Sequence, residues 1–254
     1  VNVRAGCMVP LSQTGSPARS HREGQTAHGP VYTADVPLSF TGSVDRTAVV
    51  RAADEIVDLV SRPEVAAQWK RESSCPGMTV GGLTWHLVSQ PGMVVSLVGA
   101  GPDAGTGSET IDVLEHYARA RWVTEDVDGE TNRAIREAAD TQASDGPEAA
   151  ATFLLRARAG LDAVLAAAPS TTYVPWQGWS LTTDDFIVTR LMETVVHADD
   201  LAASVGASTP AFDAAVLDPV LRLLTALALR RHGQDALVRT LTRPQRAPAD
   251  ISAF

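Results

Sequence analysis

Residues 190–206 read RLMETVVHADDLAASVG, and Glu193 and His197 stand four apart in a run built largely of Leu, Met, Val and Ala. On an α-helix, Arg190, Glu193, His197 and Asp200 share an arc of about 80°. Leu191, Ala198, Leu201, Ala202 and Val205 border that arc on one side, and Met192, Val196 and Ala203 on the other. A solvated face would widen into Lys, Gln and Glu; this polar stripe is narrow, so the pattern predicts that it faces a bundle interior. A carboxylate there needs a cation, a strong donor or a proton. Two solutions stay open. One is a hydrogen-bonded network among these four residues. The other is a divalent ion held by Glu193 and His197, whose i, i+4 spacing sets them side by side. Spacing alone favours the network, because buried polar side chains are normally satisfied by hydrogen bonds.

Outward from this helix, the rest of the chain is also helical in pattern. SVDRTAVVRAADEIVDLVS repeats its apolar residues every 3.6 positions after a possible cap at Ser43. Thr79 is the expected cap of TVGGLTWHLVSQPGMVVSLVG, which Pro91-Gly92 should kink or interrupt. Residues 109–140 are charged and helical in composition, and 146–168 form a further long helix stopped by Pro169. STTYVPWQGWSLTT reads as a loop with a short extended piece at 172–174. Thr183 is the expected cap of the opening helix and Gly206 its end. Residues 211–231 form another helix, with RRHG as its stop and a short helix after it. The predicted fold class is all-α: an up-and-down four-helix bundle over residues 41–254 with extra carboxy-terminal helices. Residues 1–40 mix Gly, Ser, Thr, Pro, Gln and His without period and read as a flexible extension, ordered at most near 36–40.

The net charge of −9 argues against a nucleic-acid partner. No apolar run reaches the ~18–20 residues of a membrane helix, so no membrane partner is expected. The extension lacks the apolar core of a secretory signal. Cys7 and Cys75 form neither a disulfide framework nor a CxxC pair and read as free thiols in a reducing cytoplasm. Among the six histidines, His21 and His28 fall in the extension, His232 in the Arg-rich stop, and His116 in a charged stretch where exposure is expected. His86, on an amphipathic helix, could face the bundle centre.

Two blocks carry a resemblance. CPGMTVGGLTWHLVS (75–89) resembles the "PG-W-T-V-x-x-L-x-x-H" entry of the maleylpyruvate isomerase amino-terminal domain, a branch of the DinB-like metal-binding four-helix bundles. RLMETVVHADDLAASVG is similar to that family's "R-x-x-E-x-x-x-H-x-x-D-L-x-x-x-x-G", and RRHGQDALVRTLTRPQR to the endings of its mycothiol-dependent members. The resemblance spans about residues 43–246. It implies metal ligands at His86, Glu193 and His197, Zn²⁺ as the metal with an open fourth position, and supporting roles for Arg190 and Asp200. It also implies a low-molecular-weight thiol, mycothiol or bacillithiol, activated as a metal-held thiolate. The Ala/Arg/Asp-rich composition, with Lys70 the sole lysine, looks actinobacterial and points to mycothiol.

The expected function is therefore a cytoplasmic, mycothiol-dependent zinc enzyme, monomeric or homodimeric, acting as a thiol S-transferase or cis–trans isomerase on a small electrophile. Met78 replaces the family's usual Trp. The 48 residues after Gly206 are too few for the α/β domain that follows the bundle in maleylpyruvate isomerase, which favours S-transfer. The alternative is a non-catalytic metal-binding bundle that serves as a ligand-binding or interaction module. Hydrolysis with Glu193 as base is disfavoured, because Glu193 is needed as a ligand. Trp176, Trp179 and Asn132 are pocket candidates, although the tryptophans could instead cover a core edge and Asn132 could be exposed. Arg239, Arg243 and Arg246 read as an anion-binding or a solvated tail. Cys75, eleven residues before His86, would lie more than ~15 Å away along a helix and is read as outside the site.

Overall fold

The structure, a computed structural model, describes residues 37–254. The expectations for residues 1–36, including Cys7, His21 and His28, lie outside the described residues. Leu38 and Phe40 are already part of the core.

Helix α1 (Ala48–Val60) buries Val49, Ala52, Ala53, Ile56 and Leu59, the stripe its periodicity predicts. It begins at Thr47 rather than Ser43. Gly42, at φ 70°, turns the chain, the Ser43 hydroxyl donates to Phe40 O, and Asp45 accepts from the Thr47 backbone. After the short α2 (Pro63–Ala67), α3 (Val80–Met93) is buried almost all round and is capped by Thr79, which accepts from Gly82 N. Gly81 and Gly82 let it approach its neighbours: a Cβ on Gly81 would stand 2.7 Å from the Trp69 ring, and one on Gly82 would meet Asp140. Pro91 does not interrupt the helix. The chain runs through it to Met93 and widens into a π-turn at Val94–Val98.

The charged stretch 109–140 is broken rather than continuous. It forms α4 (Val113–Arg119), α5 (Arg121–Thr124) and α6 (Glu130–Ala143), because Ala120 is extended and a turn at Asp126–Gly129 intervenes. Helix α7 (Pro147–Ala166) follows as expected. The tryptophan loop holds two strands: β1 (Thr171–Val174) pairs antiparallel with β2 (Trp179–Thr182) across a turn closed by Gly178 at φ 82°. Helix α8 (Thr183–Val205) carries the opening motif and ends at Gly206, which is left-handed at φ 70°. Its cap is Thr182, which accepts from Asp185 N; the Thr183 hydroxyl instead donates to Pro169 O. Helix α9 (Ala214–Thr242) is broken at Gly233, φ 81°, where RRHG predicts a stop.

Helices α1, α3, α7 and α8 pack as a ring, with α6 against α3 and α9 against α8 and α1. The fold is thus the all-α, DinB-like four-helix bundle with carboxy-terminal helices. Asp184 and Asp185 do more than face the helix dipole. They tie residues 40–46 to the bundle by accepting from Phe40 N, Gly42 N and Arg46 Nε. No helix among the described residues is long and apolar enough to cross a membrane.

Candidate metal centre

Helices α3 and α8 lie side by side, and His86 from α3 meets Glu193 and His197 from α8 in their shared interface. All three are buried, Glu193 completely. Glu193 Oε2 lies 3.4 Å from His86 Nε2 and 3.2 Å from His197 Nε2. The second separation is within ion-pair reach, yet its angle makes no hydrogen bond: His197 Nε2 and Glu193 Oε1 have no hydrogen-bond partner among the described residues. Ligands at 2.0–2.1 Å around a tetrahedral ion stand about 3.3–3.4 Å apart. Both spacings are close to that separation, while as hydrogen bonds the first is long and the second misaligned.

The His197 imidazole is fixed from behind. His197 Nδ1 lies 2.9 Å from Asp200 Oδ2, which leaves Nε2 directed at Glu193. Gln90, one turn further along α3, instead meets His86 on the ring nitrogen that faces Glu193. Its Nε2 donates to His86 O at 2.9 Å and lies 3.2 Å from His86 Nε2, while its Oε1 accepts from Arg190 NH1 at 2.9 Å. Arg190 also donates to Thr189 Oγ1 and stacks over Phe186. Asp200 thus contacts His197 directly, whereas Arg190 reaches His86 only through Gln90. Sequence reasoning missed Gln90; its signal was the i, i+4 spacing from His86.

The charges are unequal. Burial raises the Glu193 carboxyl, but His197, His86 and the Arg190 charge outweigh it and hold the group well below the usual carboxylate range. Burial lowers the His197 imidazole, but Asp200, Cys75 and Glu193 more than reverse this and raise it well above its ordinary value. For His86, burial wins and pushes the imidazole down.

Other expected positions fall elsewhere. His116 is buried, not exposed: its Nδ1 accepts from Trp179 Nε1 at 3.1 Å, and burial, aided by the Arg190 charge, pushes its pKa down to about 3. Beside it, the Tyr117 hydroxyl is buried without a hydrogen-bond partner among the described residues. Trp179 therefore points into this aromatic cluster, and Trp176, half-buried, packs on the core. Asn132 is fully buried and donates to Trp122 O and Asp126 O, closing the α5–α6 connection. Arg239 pairs with Asp235 on its own helix, and Arg243 bonds Thr242 O. A small cleft between α1, α3 and α8 is lined by Arg190, Thr194 and Pro91, but by none of the triad.

Cys75 corrects the helical-distance expectation. Residues 72–79 fold back on themselves through a Glu72–Thr79 bridge and a turn at Gly77, φ 79°, so the separation along a helix does not apply. The thiol comes to rest 3.4 Å from Asp200 Oδ2.

A family model described as mycothiol maleylpyruvate isomerase N-terminal domain matches residues 49–202, which include all of α3 and the triad. No curated protein and no solved structure matches the chain.

Proposed function

The chain belongs to the mycothiol maleylpyruvate isomerase N-terminal domain family, and on that premise we propose that it is a thiol-dependent metalloenzyme whose metal is held by His86, Glu193 and His197. The observation that carries this reading is the pair of unpartnered buried atoms, His197 Nε2 and Glu193 Oε1, inside a three-donor cluster. Buried polar atoms without partners are rare and costly, and a divalent ion would satisfy both.

The donor set, two imidazoles and a carboxylate, suits Zn²⁺ and leaves a fourth position. A zinc ion there would supply Lewis acidity, holding a coordinated thiol as thiolate at neutral pH. The chain's own residues do the rest. Asp200 keeps the His197 proton on Nδ1 and frees Nε2. Arg190 and Gln90 brace the His86 backbone, through the bond from Gln90 Nε2 to His86 O. The apolar flanks of α3 and α8 limit water around the donors.

Mycothiol is the preferred thiol, and a small electrophile the second substrate. Addition of its sulfur that stops at the adduct is S-transfer; expulsion after rotation about the former double bond is cis–trans isomerisation. Metal analysis tests the site. Purified protein should carry about one zinc per chain, and His86→Ala, Glu193→Ala and His197→Ala should each lose it. Unchanged zinc in all three would reject the assignment. Calorimetry with mycothiol tests the thiol: heat of binding only in the metal-loaded protein is the expected result, and its absence would favour a non-catalytic metal-binding bundle.

A further inference from the structure

We propose that Cys75, His197 and Asp200 form a second cation site, for a thiophilic divalent ion such as Cd²⁺ or excess Zn²⁺, that shares the His197 ring with the triad. Two groups of three donors converge among the described residues, and this is the second: Cys75 Sγ, a His197 ring nitrogen and an Asp200 carboxylate oxygen. The two groups cannot serve one ion. Nε2 of His197 faces Glu193, and Nδ1, on the other side of the ring, faces Asp200.

The two spacings made by Asp200 can be compared with those around an ion, and the three donor atoms lie within 4.8 Å of one another. With a metal–sulfur bond of about 2.3 Å and a metal–oxygen bond of about 2.0 Å, tetrahedral geometry separates sulfur from oxygen by about 3.5 Å. Cys75 Sγ and Asp200 Oδ2 are 3.4 Å apart. Nδ1 and Oδ2 are 2.9 Å apart, a good hydrogen bond that must open to about 3.3 Å. Asp200 has room to move, since its side chain is 29% exposed while those of the triad are nearly closed off. It also provides the way in from solvent.

The thiol is held at this place from α8 itself. Ser74, its neighbour, donates through its hydroxyl to Asp200 O at 2.8 Å, and its backbone N–H donates to Ser204 Oγ at 2.8 Å. The 73–77 turn is therefore fastened to the same helix turn that carries Asp200. A mixed sulfur, nitrogen and oxygen set selects soft or borderline ions over Mg²⁺ and Ca²⁺. Binding forms bonds from the ion to sulfur, nitrogen and oxygen, and releases the Cys75 thiol proton and the Nδ1 proton to solvent. No oxidant or reductant is involved. Capture of Asp200 and Nδ1 would also undo the support of His197. That inhibitory consequence rests on the function proposed above; the cation site does not.

The experiment uses the full chain with Cys7→Ser, so that Cys75 is the sole thiol. Protein carrying its one equivalent of zinc is titrated with Cd²⁺ while the ultraviolet thiolate-to-metal charge-transfer band and bound metal are recorded. The expected result is one further equivalent per chain with a thiolate band. Cys75→Ser should abolish the band and the second equivalent while keeping the first. Glu193→Gln, which disables the triad, should leave the band in place. If the triad assignment is wrong, the first equivalent fails while the Cys75 band survives. Absence of the band in the parent protein overturns the site, as does an unchanged second equivalent in Cys75→Ser. Loss of the band in Glu193→Gln overturns it too, since Cys75 would then report on the triad's ion.

Discussion

His197 in the α3–α8 cluster and His116 in the α4–hairpin cluster lie almost equally deep, 2% and 4% exposed, yet their imidazoles are pushed in opposite directions. Around His197 stand Asp200, Cys75 and Glu193; around His116 stand Trp179 and Tyr117. Desolvation works against the charged ring in both places. Only where carboxylates supply a counter-charge is it overcome. The two regions thus divide one chemistry: a site poised to handle charge and a neighbouring wall that excludes it. The Arg190 charge reaches both, lowering Glu193 and adding to the depression of His116.

The largest expected break of this contrast is Asp200→Asn. The amide can still accept from Nδ1 but carries no charge, so His197 becomes a weaker ligand. Zinc affinity should fall roughly 10–100-fold, the usual cost of losing a partner behind a metal-bound histidine. Competition against a chromophoric chelator measures it. Affinity within about twofold of the parent would mean that Asp200 does not support His197 in this way.

Much of this arrangement was legible in the sequence, for a definite reason. The stripe Arg190–Glu193–His197–Asp200 is local to one helix, and helical periodicity alone brings its members together. Gly206 and the break at Gly233 were legible as well, since a left-handed or non-helical residue demands glycine. Nothing local revealed Cys75, because a turn at 72–79, not a helix, decides where its thiol goes. His116 misled for a related reason: Ala118 and Arg119 near it are exposed, but its own ring turns inward onto a strand 63 residues later. The second strand itself depended on Gly178 closing the turn. Asp184 and Asp185 looked like helix-start acids, while their main partners lie some 140 positions earlier in the chain.

A smaller effect separates the two clusters by pH. His116 has its folded pKa at about 3, below the ordinary 6.5, so the folded state stays neutral where the unfolded chain gains a proton. Its contribution to stability is present above pH 6.5 and is lost as pH falls from 6.5 towards 3, by about 1.4 kcal/mol per pH unit once well below 6.5. His116→Leu should lower stability at neutral pH, because Trp179 Nε1 loses its acceptor, but should flatten this part of the acid limb. Urea unfolding at several pH values between 6.5 and 4 reads the difference in slope. Parallel slopes in parent and variant would place the acid sensitivity in other groups.

The smallest expected effect is that of Trp179→Phe, which asks whether the aromatic wall belongs to the metal site or only borders it. Phenylalanine keeps most of the packing against His116 and removes only the Nε1–H that His116 Nδ1 accepts. A buried acceptor left without a partner costs about 1–3 kcal/mol. Because the Trp179 Nε1–H donates to His116, the loss should appear in the unfolding midpoint while zinc affinity stays within about twofold of the parent. Thiol binding in the metal-loaded protein separates the roles proposed for this tryptophan. Unchanged affinity for mycothiol makes it a wall that keeps His116 neutral. A drop of tenfold or more, with zinc affinity intact, makes it a face of the substrate pocket, and the charge-excluding region would then be part of the site it borders.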